Sequence, residues 1–183
     1  MEAALFKTRW NSEVVRRFAE ELAEIAEDLG LVAAPEALLD RRIFSDQTAR
    51  FLIDAGLPDG CAPFVSFRDV AKGPQSLVEC YGAHQFQPSD LLRLASFYVL
   101  GSDGAGNPLC VDCGRNEQVV MLDHEDRFRT QTFVASSVAT LAEALLIANT
   151  VPHRDFVEHL RRCDPPAAEK SAFLPREIGM LEN

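Results

Sequence analysis

The chain has few positive charges, no long apolar run and no disulfide framework. Eighteen Lys and Arg stand against 28 Asp and Glu in 183 residues, a formal charge of −10. Phosphates reward clustered bases, so the balance argues against direct nucleic-acid binding. The shortage of bases is general: residues 1–60 hold 12 acids and 7 bases, 61–150 hold 10 and 6, and 151–183 hold 6 and 5. A surface that is negative on most sides suits a basic partner protein, or simply solubility.

No stretch reaches the ~18 consecutive apolar residues that a membrane span requires, and MEAALFKTRWNSEVV has no basic-then-apolar leader pattern. The expectation is a cytoplasmic protein with no membrane partner. Five cysteines at 61, 80, 110, 113 and 163 are odd in number and irregular in spacing, which reads as reduced thiols. With 47% hydrophobic and 25% charged residues, the composition is that of an ordinary globular protein. The length suits a single domain over 1–183.

The apolar periods define the elements that can be expected. Val14, Val15, Phe18, Leu22, Ile25 and Leu29 recur at threes and fours between Asn11, a candidate N-cap, and Gly30, so a helix is expected over 11–29. Glu13, Arg17, Glu20, Glu21, Glu24 and Asp28 would form its solvated face. Ser45 should cap a second helix that turns Phe51, Leu52 and Ala55 inward and ends at Gly56 and Pro58. FVSFRDV (64–70) and SLVECYG (76–82) read as strands, the second more weakly.

From Leu91 the texture becomes that of an antiparallel meander: LLRLASFYVL, PLCVD, QVVMLDHE and RFRTQTFVA, separated by Gly, Asn and Asp. SSVATLAEALLIANT then reads as a capped helix with Val138, Leu141, Leu145 and Leu146 inward, and RDFVEHLRRC as another. The tail after Asp164 is Pro-rich and shows no period of its own.

The densest candidate for chemistry is LGSDGAGNPLCVDC, Leu100 to Cys113. Dinucleotide binding needs Gly-x-Gly-x-x-Gly leading into a helix, whose amides and dipole hold the pyrophosphate. Here the spacing is reversed, as Gly101, Gly104 and Gly106, and a strand follows. A zinc site needs four ligands, whereas Cys110 and Cys113 supply two and, on a strand, point to opposite faces. What remains is a hairpin turn, with Asp103 able to bond its own backbone. Gly114 to Glu117 should turn the next strand pair in the same way.

Asp123-His124-Glu125-Asp126 could in principle hold a metal or act in acid/base chemistry, but neighbours on a strand alternate faces and cannot all converge. His153 and His159 stand singly, and there is no Gly-x-Ser-x-Gly elbow. The residues therefore indicate no enzyme, no catalytic set, no bound metal and no cofactor.

The order of three segments, FLIDAGLPDG…FVSF, then FYVLGSDGAGNPLCVDCGRNEQVVMLDHED, then FVASSVATLAEAL, resembles the SUKH superfamily (Smi1/Knr4-like), and most of all its SUKH-4 immunity-protein branch. The matching features are Gly56-Leu57-Pro58 closing a helix, the Gly101–Gly104 turn, Leu109–Asp112, Asp123–Glu125 and a Ser136 or Ser137 cap, within a best-supported core of 44–146. The resemblance implies an α+β fold, an antiparallel sheet flanked by helices. It also implies an intracellular protein that binds and neutralises a cognate polymorphic toxin domain, often a nuclease, without catalysis; some relatives are scaffolding or regulatory modules. A nuclease toxin would be basic, which makes Asp103, Asp112, Asp123, Glu125 and Asp126 the candidate contacts, as acids at turns and strand ends.

Overall fold

The computed structural model describes residues 1–21, 29–63 and 65–180. The N-terminal segment is helical from Ala3, in three consecutive stretches: α1 (Ala3–Arg9), a π-helical turn (Trp10–Val15) and α2 (Arg16–Glu21). This corrects the expected start at Asn11, which lies inside the π turn. Phe6, Trp10 and Val14, spaced by four, are all fully buried. A π turn, closed by i→i+5 hydrogen bonds, is wider than an α turn and suits that spacing. The Trp10 indole N–H donates to the Leu29 carbonyl at 2.7 Å, which ties the segment to the start of the next one. Leu22 and Ile25 of the expected pattern lie outside the described residues.

A small β1–β2 pair follows (Leu31–Val32 with Leu57–Pro58), enclosing α3 (Asp46–Asp54). Ser45 caps α3, and Phe51, Leu52 and Ala55 are buried, as expected. Gly56, at φ 74°, lets the chain turn beneath Val32, whose carbonyl oxygen would stand only 2.1 Å from any Cβ there.

The main sheet has six strands in consecutive antiparallel order. β3 (Gly60–Cys61) and β4 (Val65–Ser66) are short, and they lead to β5 (Phe97–Asp103), β6 (Pro108–Asp112), β7 (Gln118–Leu122) and β8 (Gln131–Ala135). The expected meander is therefore present, with three corrections in the segments before it and within it. The strand expected over 64–70 is confined to β4, because a 3₁₀ turn begins at Arg68; Phe64 lies outside the described residues. SLVECYG is not a strand but the helix α4 (Leu77–Tyr81), started by a reciprocal Ser76–Glu79 capping box. LLRLASFYVL divides into α5 (Pro88–Leu94), with Pro88 in the first helical turn, and β5.

β6 is buried along its whole length, because helices cover both sides of the sheet. On one side Leu100, Leu109, Val111, Val119 and Val134 meet α1, α3, α6 (Val138–Thr150) and α7 (His153–Cys163) in the larger core. On the other side Phe97, Val99, Cys110, Val120 and Leu122 form a smaller core with Leu77, Leu94 and Phe128. Period-two alternation sorts each strand between the two cores. α6 is capped by Ser137 and turns Val138, Leu141, Leu145 and Leu146 inward. The tail is ordered as a 3₁₀ turn (Pro165–Ala168) and α8 (Phe173–Met180), which buries Phe173, Leu174 and Ile178.

Candidate functional site

In a meander, successive connections fall at opposite ends of the sheet. The β5–β6 hairpin and the β7–β8 loop share one end, and the β6–β7 hairpin lies at the other. This divides the five candidate acids. Asp103, Asp123, Glu125 and Asp126 gather at the first end, while Asp112 lies at the second. Asp112 is only 3% exposed, and its carboxylate accepts the Gly114 N–H at 3.0 Å, so it shapes a turn and is not available as a surface contact.

At the shared end the carboxylates fix the loops that carry them. Asp103 Oδ1 accepts from the N–H groups of Ala105 (2.9 Å) and Asn107 (2.8 Å), and Oδ2 accepts from the Asn107 side-chain amide at 2.9 Å. Asn107 Oδ1 accepts the His124 N–H at 3.2 Å and lies 2.8 Å from His124 Nδ1, which joins the two loops. Asp123 accepts the Glu125 N–H, and Asp126 accepts those of Arg129 and Thr130. Hydrogen bonding from Thr130, followed by the backbone donors of Arg129 and Thr130, holds the Asp126 carboxyl below the usual carboxylate range, so it stays charged. Glu125 is exposed.

Beside these loops a groove of about 500 Å³ is lined by Asp103 and Asp123 together with Arg176 and Glu177 of α8, and by Met121 and Thr132. The contribution of α8 had no signal in the sequence, whose tail lacks a clear period.

Cys110 belongs to the smaller core, whereas Cys113 packs against the larger one, so the two thiols lie on opposite sides of the sheet as their spacing implied. Burial pushes the Cys110 thiol well up and that of Cys113 up to about 12, which leaves neither as a ready thiolate. Among the described residues no group of His, Cys, Asp and Glu is placed to hold a metal ion. No described helix is long and apolar enough to cross a membrane.

A six-stranded meander with helices on both sides and ordered acidic loops at one end defines an α+β protein of the expected architecture. Residues 17–153 match the model of the SUKH-4 immunity protein family, and the chain belongs to that family, which places it in toxin immunity. No curated protein and no solved structure matches it.

Proposed function

We propose that this protein neutralises one cognate toxin domain by covering the toxin's working surface, without chemistry of its own and inside the cell that carries both. The observation that supports this reading is the gathering of Asp103, Asp123, Glu125 and Asp126 at one end of the sheet, on loops braced against each other through Asn107 and His124. Loops held in this way need little further ordering on binding, which favours affinity. A nuclease toxin carries a basic surface for its polyanionic substrate. An acidic inhibitor can occupy that surface and gain association rate from steering.

The test begins with affinity capture at low and high salt, followed by purification of the retained polypeptide. The expected result is a basic chain whose activity falls to zero at one equivalent of this protein, and whose expression alone arrests growth. A retained scaffold or signalling protein, with normal growth of cells lacking the chain, would instead support a regulatory interaction module.

A further inference from the structure

The β7–β8 loop that carries Asp123, Glu125 and Asp126 has an unusual backbone. Arg127 and Phe128 are consecutive and both left-handed, at φ 63° and 62°, a conformation that non-glycine residues rarely adopt and that surrounding structure must impose. Backbone bonds within the loop, from the Phe128 N–H to the Asp123 carbonyl at 2.7 Å and from the Arg127 N–H to the His124 carbonyl at 3.3 Å, help to hold it, and two side-chain contacts from the smaller-core side of the sheet add to them. The Phe128 ring is buried, with its centroid 4.8 Å from Tyr81 and 5.8 Å from Phe86. The Phe128 carbonyl accepts a hydrogen bond at 2.8 Å from Arg93 Nη1, on α5. The other terminal nitrogen, Nη2, is buried 3.7 Å from Asp90 and has no hydrogen-bond partner among the described residues. Among the described residues the guanidinium's hydrogen bond therefore goes to this loop.

We propose that Arg93 is a positioning residue for the acidic rim: it grips the Phe128 carbonyl, holds the left-handed pair in place and thereby sets where Glu125 and Asp126 stand. This rests on the reading of that rim as the toxin-facing surface, and it extends that reading to a residue on α5.

The sign of the charge effect makes the proposal testable. Arg93→Gln makes the protein one unit more negative, so attraction to a basic partner alone predicts equal or tighter binding. A positioning role predicts weaker binding. Arg93→Lys keeps the charge and a donor group but not the guanidinium's reach and planar geometry, and should fall between Gln and wild type. Two readouts are needed. The first is amide hydrogen exchange of the protein alone, where Arg93→Gln should speed exchange over residues 123–130 about tenfold and leave the β6 and β7 amides unchanged. The second is affinity for the purified basic polypeptide, which should fall about tenfold with Gln and less with Lys. Unchanged loop exchange, or a uniform rise across the sheet, would overturn the positioning role whatever the partner proves to be. Faster loop exchange with equal or tighter binding would keep the grip on the loop and remove the loop from the toxin interface. Failure to find any basic toxin bears on the proposed function alone, since the exchange measurement needs no partner.

Discussion

Glu117 and Ser45 are 72 residues apart, and the Glu117 carboxylate accepts from both the backbone N–H and the hydroxyl of Ser45, the latter at 2.6 Å. Thr48 adds a third donor at 2.5 Å. The β6–β7 turn places left-handed residues at both central positions, Asn116 and Glu117, and closes with the Gln118 N–H on the Arg115 carbonyl. Such turns favour glycine at the second centre. Glu117 occupies it, and its carboxylate ties the turn to Ser45, the N-cap of α3, and to Thr48.

Glu117→Gly should therefore destabilise the protein although it relieves backbone strain. Glycine recovers about 1 kcal/mol at a left-handed position. The three lost bonds to a charged acceptor, discounted for their exposure, outweigh that by about 1–2 kcal/mol. Urea unfolding should show the loss, while Asn116→Gly should shift stability by no more than a few tenths of a kcal/mol.

Asp164 is nearly fully buried and accepts both the N–H and the hydroxyl of Ser136 at 2.7 Å, which joins the end of β8 to the end of α7. Asp164→Ala removes two bonds to a charged acceptor, and because Ser136 is exposed its donors can turn to water, so the cost should be about 1–3 kcal/mol. Asp164→Asn, which keeps an acceptor, should cost less. Thermal unfolding of the two variants checks the order.

Local rules carried much of the fold into the sequence. Ser45 and Ser137 are legible caps because a short side-chain acceptor before an apolar period has one main use. The Asp103 turn is legible for the same reason. SLVECYG reads as a strand because the apolar residues of a five-residue helix also fit one, yet the Ser76-x-x-Glu79 spacing of a capping box decides for the helix. Pro88 likewise marked the start of α5. The five acids looked alike in one dimension. Only strand order assigns them to ends, and the alternation of a meander separates Asp112 from the rest. The Arg93–Phe128 contact, which joins elements 35 residues apart, had no local signal at all.

The capping box at α4 gives a pH dependence whose sign can be stated. The Ser76 hydroxyl, and then its backbone N–H, hold the Glu79 carboxyl below its ordinary value. A carboxylate depressed in the folded state contributes stability above its unfolded pKa of about 4.3, and that contribution is lost as pH falls through the folded value. Glu79→Gln should lose about 1 kcal/mol or less at pH 7, in the range of a helix cap. The difference from wild type should be smaller at pH 3 than at pH 7. Denaturant titrations at the two pH values test this.

Cys110 should resist thiol reagents until the protein unfolds, because it is fully buried in the smaller core. Cys80 is exposed and should label first, although partial desolvation of its thiol by its neighbours, and then Asp69 and Glu79, raise its pKa and slow it. Mild oxidation should not join Cys110 to Cys113 across the sheet, and Cys113→Ser should leave the elution volume unchanged. A Cys110–Cys113 disulfide found by mass in folded protein would contradict the two-sided placement.

Glu125 offers the cleanest test of steering, since it is exposed and its own N–H, not its carboxylate, serves the turn by donating to Asp123. Glu125→Lys changes the local charge by two units without removing a capping bond. Its affinity for a basic toxin should fall about three- to tenfold at low salt, mainly through the association rate. The gap should narrow as added salt shortens the screening length to a few ångströms. Asp112→Asn is the matching control: it removes a negative charge at the other end of the sheet and weakens a buried turn contact, so it should lower stability while leaving the association rate near wild type. Equal association rates for wild type and Glu125→Lys at low salt would take Glu125 out of the encounter surface. A large effect from Asp112→Asn would move that surface to the β6–β7 end.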